Sequence, residues 1–396
     1  MTHHHPMNRR RLLQTLGASL PMITLPGFVT AAGQDPMPGN ILILIELAGG
    51  NDGLNTVIPR TDDAYRSLRP RIGIAQEDMI GLDTDTGLHG GMRALGDLWE
   101  DGALQIVQGV GYPDPNRSHF RSIEIWNAGL GAQSQTQQGW VSTAFADEGP
   151  RFRDADGLVL GGDMGPLAGD GRFSAMRNEE DFVERQQNLP GAMHAVRPQA
   201  AVSPLDHVLD TYESARITGD AIYKRLSTSP ATAFEFPGTL LGEQLRTAAR
   251  LLVAGVEVPV LKVVQDGYDT HEDQPEQHAD LLTDLSRSIG AFSAAMKQIG
   301  LWDQISIVTF SEFGRTAREN GSGGTDHGTA APLFVAGGNV RGGLSGQAPS
   351  LTNLVADDLS HTTDYRSVYA ALLQDLWRID APAFPTSTPK LQLLNI

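Results

Sequence analysis

The sequence predicts an α/β domain, a mostly parallel central sheet with helices on both faces. Three observations predict it. Short apolar runs alternate with segments of helical spacing along the 396-residue chain. Those runs show little polar alternation, as strands buried on both faces do. Each run is flanked by a loop rich in Gly, Asp, His or Ser, the pattern expected where strand ends gather functional groups.

Residues 41–47 are continuously apolar except for Glu46 and end in Ala48-Gly49-Gly50-Asn51-Asp52-Gly53, a buried strand followed by a tight loop. Met92, Leu95, Leu98 and Trp99 space one helical face over 89–99. A second strand, 104–110, runs into the turn Gly111-Tyr112-Pro113-Asp114-Pro115, and a helix follows over 118–128. Residues 131–197, rich in Gln, Gly and Asp, read as a cap or insertion. Helices are expected over 204–217 and 239–253, and a third strand over 259–264. Leu281, Leu285, Ile289, Phe292 and Met296 fall at three- and four-residue steps in a long amphipathic helix, 275–299. Strands at 305–310 and 333–337 and a helix at 364–377 complete the chain.

The start of the chain reads as an export signal over residues 1–32, followed by one domain, 33–396, with its insertion at about 131–197. Arg9 and Arg10 lead into Arg11-Leu12-Leu13, close to a twin-arginine pattern with Leu12 in place of the usual phenylalanine. The stretch 16–29 is mildly apolar but broken by Gly17, Pro21, Pro26 and Gly27, which suits a signal better than a membrane span. Thr30-Ala31-Ala32 offers the small residues of a cleavage site, and no acid precedes Gly33. The other reading is a disordered basic tail. Export would place the protein in the periplasm or outside the cell.

The formal net charge is −17, and removing residues 1–32, with three arginines and no acid, would take it to −20. Such a surface repels nucleic acid and anionic membranes. No later apolar run is long enough to span a bilayer. The chain has no cysteine, so it has no disulfide and no thiolate zinc site; any metal must be held by His, Asp, Glu and water.

Candidate chemistry sits in the loops. Asp52 follows the first strand. Asn116-Arg117-Ser118-His119-Phe120-Arg121 follows the second. Tyr268-Asp269-Thr270-His271, and later His278, follow the third. Ser311-Glu312-Phe313-Gly314-Arg315-Thr316 follows the fourth, and Gly324-Thr325-Asp326-His327-Gly328 precedes the fifth. Each also has an ordinary reading. Gly49 to Gly53 is a turn signal. Ser118 is an N-cap. Asp269 and His271 form a hydrogen-bonded pair, Glu312 and Arg315 a surface ion pair, and His278 is a solvated helix residue. His89, His119, His207 and His361 are weaker candidates again. The coincidence of all these loops at one sheet edge favours function. Asp and His are ordinary ligands for divalent ions, a serine at a helix start presents its hydroxyl near free backbone N–H groups, and arginine clamps anionic oxygens. These are the parts of a metal-assisted ester hydrolase.

The stretch Glu46 to Thr56, Ser118-His119-Phe120 with Trp126, Asp269-Thr270-His271, Ser311 to Thr316, and Gly324 to Gly328 together resemble one bacterial family. It is the domain-of-unknown-function family 1501, whose members typically carry twin-arginine signals and which is similar to a distant branch of the alkaline phosphatase and sulfatase superfamily. The resemblance implies a metal site at the carboxyl edge of the sheet. It implies Asp52 as a metal-binding aspartate, Ser118 as the hydroxyl nucleophile, Asp269 and His271 as a metal-binding pair, Glu312 as a strand-end ligand and His327 as the last histidine ligand. Two features depart from the superfamily pattern. Only Thr270 separates Asp269 from His271, and Glu312-Phe313 stands where an aspartate–histidine pair is usual.

The expectation is therefore an exported hydrolase of a small anionic ester, phosphate or sulfate, using one or two divalent ions (zinc, manganese, calcium or magnesium). Asp52, Asp269, His271, Glu312, Asp326 and His327 would hold metal, Ser118 would attack, and Arg117 or Arg121 would clamp the substrate. The alternative is a non-catalytic exported protein on the same fold that binds metal or a partner through its acidic pocket.

Overall fold

The structure, a computed structural model, describes residues 39–149, 154–180, 182–183, 204–229, 233–356, 358–380, 384 and 391–395. The expected signal, 1–32, and residues 184–203 lie outside the described residues.

The strands are β1 (Ile41–Leu47), β2 (Val57–Pro59), β3 (Met79–Gly81), β4 (Thr86–His89), β5 (Leu104–Gly111), β6 (Gly157–Val159), β7 (Phe173–Ala175), β8 (Val260–Gln265), β9 (Ile305–Phe310), β10 (Ala331–Ala336), β11 (Gly343–Ser345) and β12 (Thr363–Asp364). The helices are α1 (Gly53–Thr56), α2 (Asp63–Leu68), α3 (Arg93–Glu100), α4 (His119–Ala128), α5 (Trp140–Glu148), α6 (Pro204–Thr228), α7 (Leu240–Val253), α8 (Gln274–Ile299) and α9 (Tyr365–Trp377).

The main sheet has the order β11-β5-β10-β9-β1-β8-β6-β7, with β12 also pairing with β5; β2, β4 and β3 make a small second sheet. β10 is antiparallel to both β5 and β9, and the other pairings of the main sheet are parallel. Hence β1, β5, β8 and β9 end at one edge, and β10 begins there. That is why the residues before β10, and not those after it, join the other four loops.

Both faces of β1 are buried, which explains its unbroken apolar run. Ile41, Ile43 and Ile45 pack in one core with Leu95 of α3, Leu245 of α7 and Leu285 and Phe292 of α8. Leu42 and Leu44 pack in the opposite core with Trp126 of α4, Trp140 of α5 and Tyr369 of α9. Each such side chain contributes roughly 1.5–3 kcal/mol. Glu46, the one interruption, is matched: its Oε2 lies 2.7 Å from Nζ of the buried Lys262. Burial raises the Glu46 carboxyl above its ordinary range, and the Lys262 charge offsets only part of that.

The expected helix over 89–99 starts later than its spacing suggested. His89 ends β4 and α3 begins at Arg93, because Gly90-Gly91 interposes two residues of poor helix propensity. Within the segment 131–197, β6 and β7 extend the main sheet beyond β8. The long amphipathic helix is α8, with a proline in its first turn and Gly300 closing it in the left-handed conformation.

Candidate metal centre

The β1 loop must pass very close to the ends of β8 and β9. Gly49 and Gly50 have φ of +116° and +84°, and a Cβ on Gly49 would lie 2.4 Å from the Asp269 nitrogen. Only glycine fits there. Arg315, which follows β9, locks this arrangement. Its guanidinium is wholly buried. Nε donates to Gly50 O at 2.8 Å, Nη1 to Thr325 O at 3.1 Å, and Nη2 to Tyr268 O at 2.8 Å and Asp269 Oδ1 at 2.7 Å, with Gly49 O also accepting from Nη2. One side chain thus ties together the loops after β1 and β8 and the segment before β10. α4 is fastened to the end of β9 by Ser122 Oγ, which donates to Glu312 O at 2.5 Å.

These ties bring His119, Asp269 and His327 together, each presenting one atom within 4.8 Å of the others'. His119 Nε2 lies 3.1 Å from His327 Nε2 and 3.4 Å from Asp269 Oδ2, and His327 Nε2 lies 3.1 Å from Asp269 Oδ1. His271 flanks the group, its Nε2 3.0 Å from both His327 Nε2 and Asp269 Oδ1. The opposite ring nitrogens are all engaged with oxygen. Nδ1 of His119 is 2.8 Å from Glu312 Oε1, Nδ1 of His327 is 2.8 Å from Arg117 O, and Nδ1 of His271 is 3.2 Å from Asp326 Oδ1. A carbonyl or carboxylate only accepts, so each Nδ1 carries a ring hydrogen, and in the neutral tautomer this fixes, each Nε2 turns a lone pair toward the cluster. Lone pairs facing one another beside a carboxylate repel unless a cation lies among them, so this donor set fits a divalent ion. The separations also suit one: ligand atoms about 2.0–2.1 Å from a tetrahedral ion stand roughly 3.3 Å apart. Burial pushes the Asp269 carboxyl upward, but the Arg315 hydrogen bond and charge, with His327 and His119, outweigh it and hold Asp269 below its ordinary range, ionised and ready to ligate.

The structure gathers some of the expected site residues and separates others. Asp269, His271 and His327 lie in the cluster. Glu312 and Asp326 stand behind it, each orienting an imidazole. Asp52 is elsewhere: it is buried, with Oδ2 accepting from Arg69 Nη1 and Gln274 Nε2, both at 2.5 Å. Ser118 is the exposed N-cap of α4, and its side chain makes no capping hydrogen bond. Arg117 pairs with the buried Asp358 at 3.2 Å. Arg121 turns toward Glu124 and the carbonyls of Ala132 and Ser134, along its own helix and the next loop. Sequence alone gives His119 no more weight than His89, His207 or His361. Its position in the first turn after β5, at the edge already identified, was the available signal.

His278 is not solvated. It is buried, and its Nε2 donates to Asn51 Oδ1 at 2.9 Å. Desolvation lowers its pKa to about 4, against the opposing pull of Asp52. The unfolded ring takes up a proton near pH 6.5 and the folded ring does not. His278 thus contributes stability that is fully present above about pH 6.5 and lost as pH falls toward 4. Urea unfolding of metal-free protein should show about 3 kcal/mol lost from this source across that window. His278→Gln should flatten the slope; an unchanged slope would refute the assignment.

No curated protein sequence matches the chain. Solved structures similar to it include a protein in the alkaline phosphatase superfamily from Vibrio parahaemolyticus, at 12% identity and a TM-score of 0.39, covering 89% of this chain and 70% of that one. Another is the C-terminal periplasmic domain of EcEptC from Escherichia coli in complex with Zn, at 10% identity and a TM-score of 0.37, covering 88% of each chain. A third is the PsFucS1 sulfatase from Pseudoalteromonas sp., at 10% identity and a TM-score of 0.39, covering 87% of this chain and 71% of that one. Residues 203–378, which hold the motifs around Asp269, Ser311 and Gly324, match the model of the family described as protein of unknown function DUF1501, the family the motifs resemble.

Proposed function

We propose that the chain is an exported, metal-dependent hydrolase of a small phosphate or sulfate ester. The observation that carries this reading is the convergence of His119, Asp269 and His327 beside the first turn of α4. These three residues would hold one divalent ion, with His271 adjacent. A nitrogen-rich set suits zinc better than manganese, calcium or magnesium. When bound, the ion supplies positive charge against the negative charge that develops on the ester oxygens.

The chain's own groups would do the rest. Ser118 leaves its hydroxyl free of the helix N–H groups. Its Oγ would bond to phosphorus or sulfur as the alcohol departs, and water would then cleave the serine ester. Arg117, whose backbone carbonyl meets His327 and whose guanidinium pairs with Asp358 but stays partly exposed, would be the clamp; Arg121 spends its guanidinium on its own helix and the following loop. Glu312, Asp326 and the Arg117 carbonyl hold the imidazoles in the ligating tautomer. Export rests on the twin arginines of residues 1–32, and no helix among the described residues is long and apolar enough to cross a membrane.

A panel of aryl phosphate, phosphodiester and sulfate esters, assayed on zinc- or manganese-loaded protein, tests the reading. Ser118→Ala is expected to lower turnover of the accepted ester about a thousandfold or more. Undiminished turnover would remove serine from the mechanism. Stoichiometric metal with no turnover across the panel would favour the non-catalytic binding reading.

A further inference from the structure

The two aspartates expected to anchor metal, Asp52 and Asp269, each meet a buried guanidinium, but not in the same way. Arg315 takes Asp269 Oδ1 from the protein side, while Oδ2 faces His119 and the side chain is 48% exposed. Asp269 therefore keeps an open side. Asp52 does not. Its side chain and that of Arg69 are both 0% exposed and 2.5 Å apart. Oδ1 accepts from Leu54 N at 3.2 Å, and Oδ2 accepts from both Arg69 and Gln274. Arg69 is equally committed, with Nε on Ala317 O at 3.1 Å and Nη2 on Thr316 O at 3.0 Å. The neighbouring imidazole, His278, donates its Nε2 hydrogen to Asn51.

We propose that Arg69 is the resident cation of the Asp52 pocket, so that the chain holds one divalent ion, at His119, Asp269 and His327, and none at Asp52. This rests on the metal-site reading above. The physical reason is charge balance in a closed space. Asp52 and Arg69 neutralise one another without water, and a divalent ion entering there would leave a buried guanidinium without its counter-charge. The fixed charge that a second ion would bring is thereby built into the polypeptide. The same pairing accounts for the glutamine at position 274. A neutral amide donates to Asp52 and, through Oε1, accepts from Thr325 Oγ1 at 2.6 Å, without upsetting that balance.

Metal stoichiometry tests this without any activity. Protein loaded with excess zinc, dialysed, and analysed for zinc per chain should contain one ion. Asp52→Asn should still contain one, with zinc affinity within about threefold of the parent and a lower melting temperature in the metal-free state. His327→Ala should give up its ion to a chelator that leaves the parent's ion in place. Two ions in the parent chain would overturn the proposal while leaving the His119 site standing; one ion in the parent and none in folded Asp52→Asn would overturn both. No zinc in the parent chain would instead remove the metal-site reading itself, and this inference with it. The parent chain's count decides the matter even where Asp52→Asn does not fold.

Discussion

His327→Ala is expected to weaken zinc binding by roughly 10²–10³-fold. A four-ligand zinc site is worth about 10–16 kcal/mol, so one ligand accounts for about 3–4 kcal/mol, and each 1.4 kcal/mol is tenfold. His327 is the most connected of the imidazoles, its Nε2 lying within 3.1 Å of His119, His271 and Asp269. Glu312→Gln gives the contrast. Glu312 would reach an ion only through His119 Nδ1, so its loss should cost about 10–100-fold. Competition with a chelator of known affinity measures both. If the two variants bind zinc equally well, Glu312 and His327 do not hold the separate roles assigned to them. If neither differs from the parent, the ion lies elsewhere.

Arg315→Ala is expected to be the most destabilising single change at the site, by about 3–5 kcal/mol, because it removes a buried cation and strands its partners. The carbonyls of Gly49, Gly50, Tyr268 and Thr325 and the carboxylate of Asp269 would all lose a donor where little water can replace it. The melting temperature should fall by roughly 4–7 °C for a chain of this length. Arg315→Lys should not rescue it, since one ammonium cannot reproduce the planar fork that reaches three loops. Thermal unfolding with zinc absent checks both. A loss below about 1 kcal/mol in Arg315→Ala would mean that the loops meet without this tie.

Much of this molecule was legible in local pattern. The run Ile41 to Leu47 had to be a strand covered on both sides, and Gly49-Gly50 had to turn sharply after it. Asp269, His271 and His327 were recognisable because each stood at the end of a strand or just before one, and parallel strands deliver their ends to one edge. His119 was passed over because a histidine beside a serine at a helix start looks the same whether it faces solvent or a metal.

What the sequence determined by itself is the alternation of apolar strands and helices, and the set of polar loops that alternation brings to one sheet edge. Periodicity is local, so it can be read along the chain. Tertiary structure alone decided how each acid spends its charge. Asp52 meets Arg69 and Gln274, whereas Asp269 keeps an oxygen for His119; Glu312 and Asp326 orient imidazoles from behind. A carboxylate in sequence is the same group whether it binds a guanidinium, an amide or an ion. Which it meets depends on partners up to 263 residues away, brought within hydrogen-bond distance only when the sheet forms.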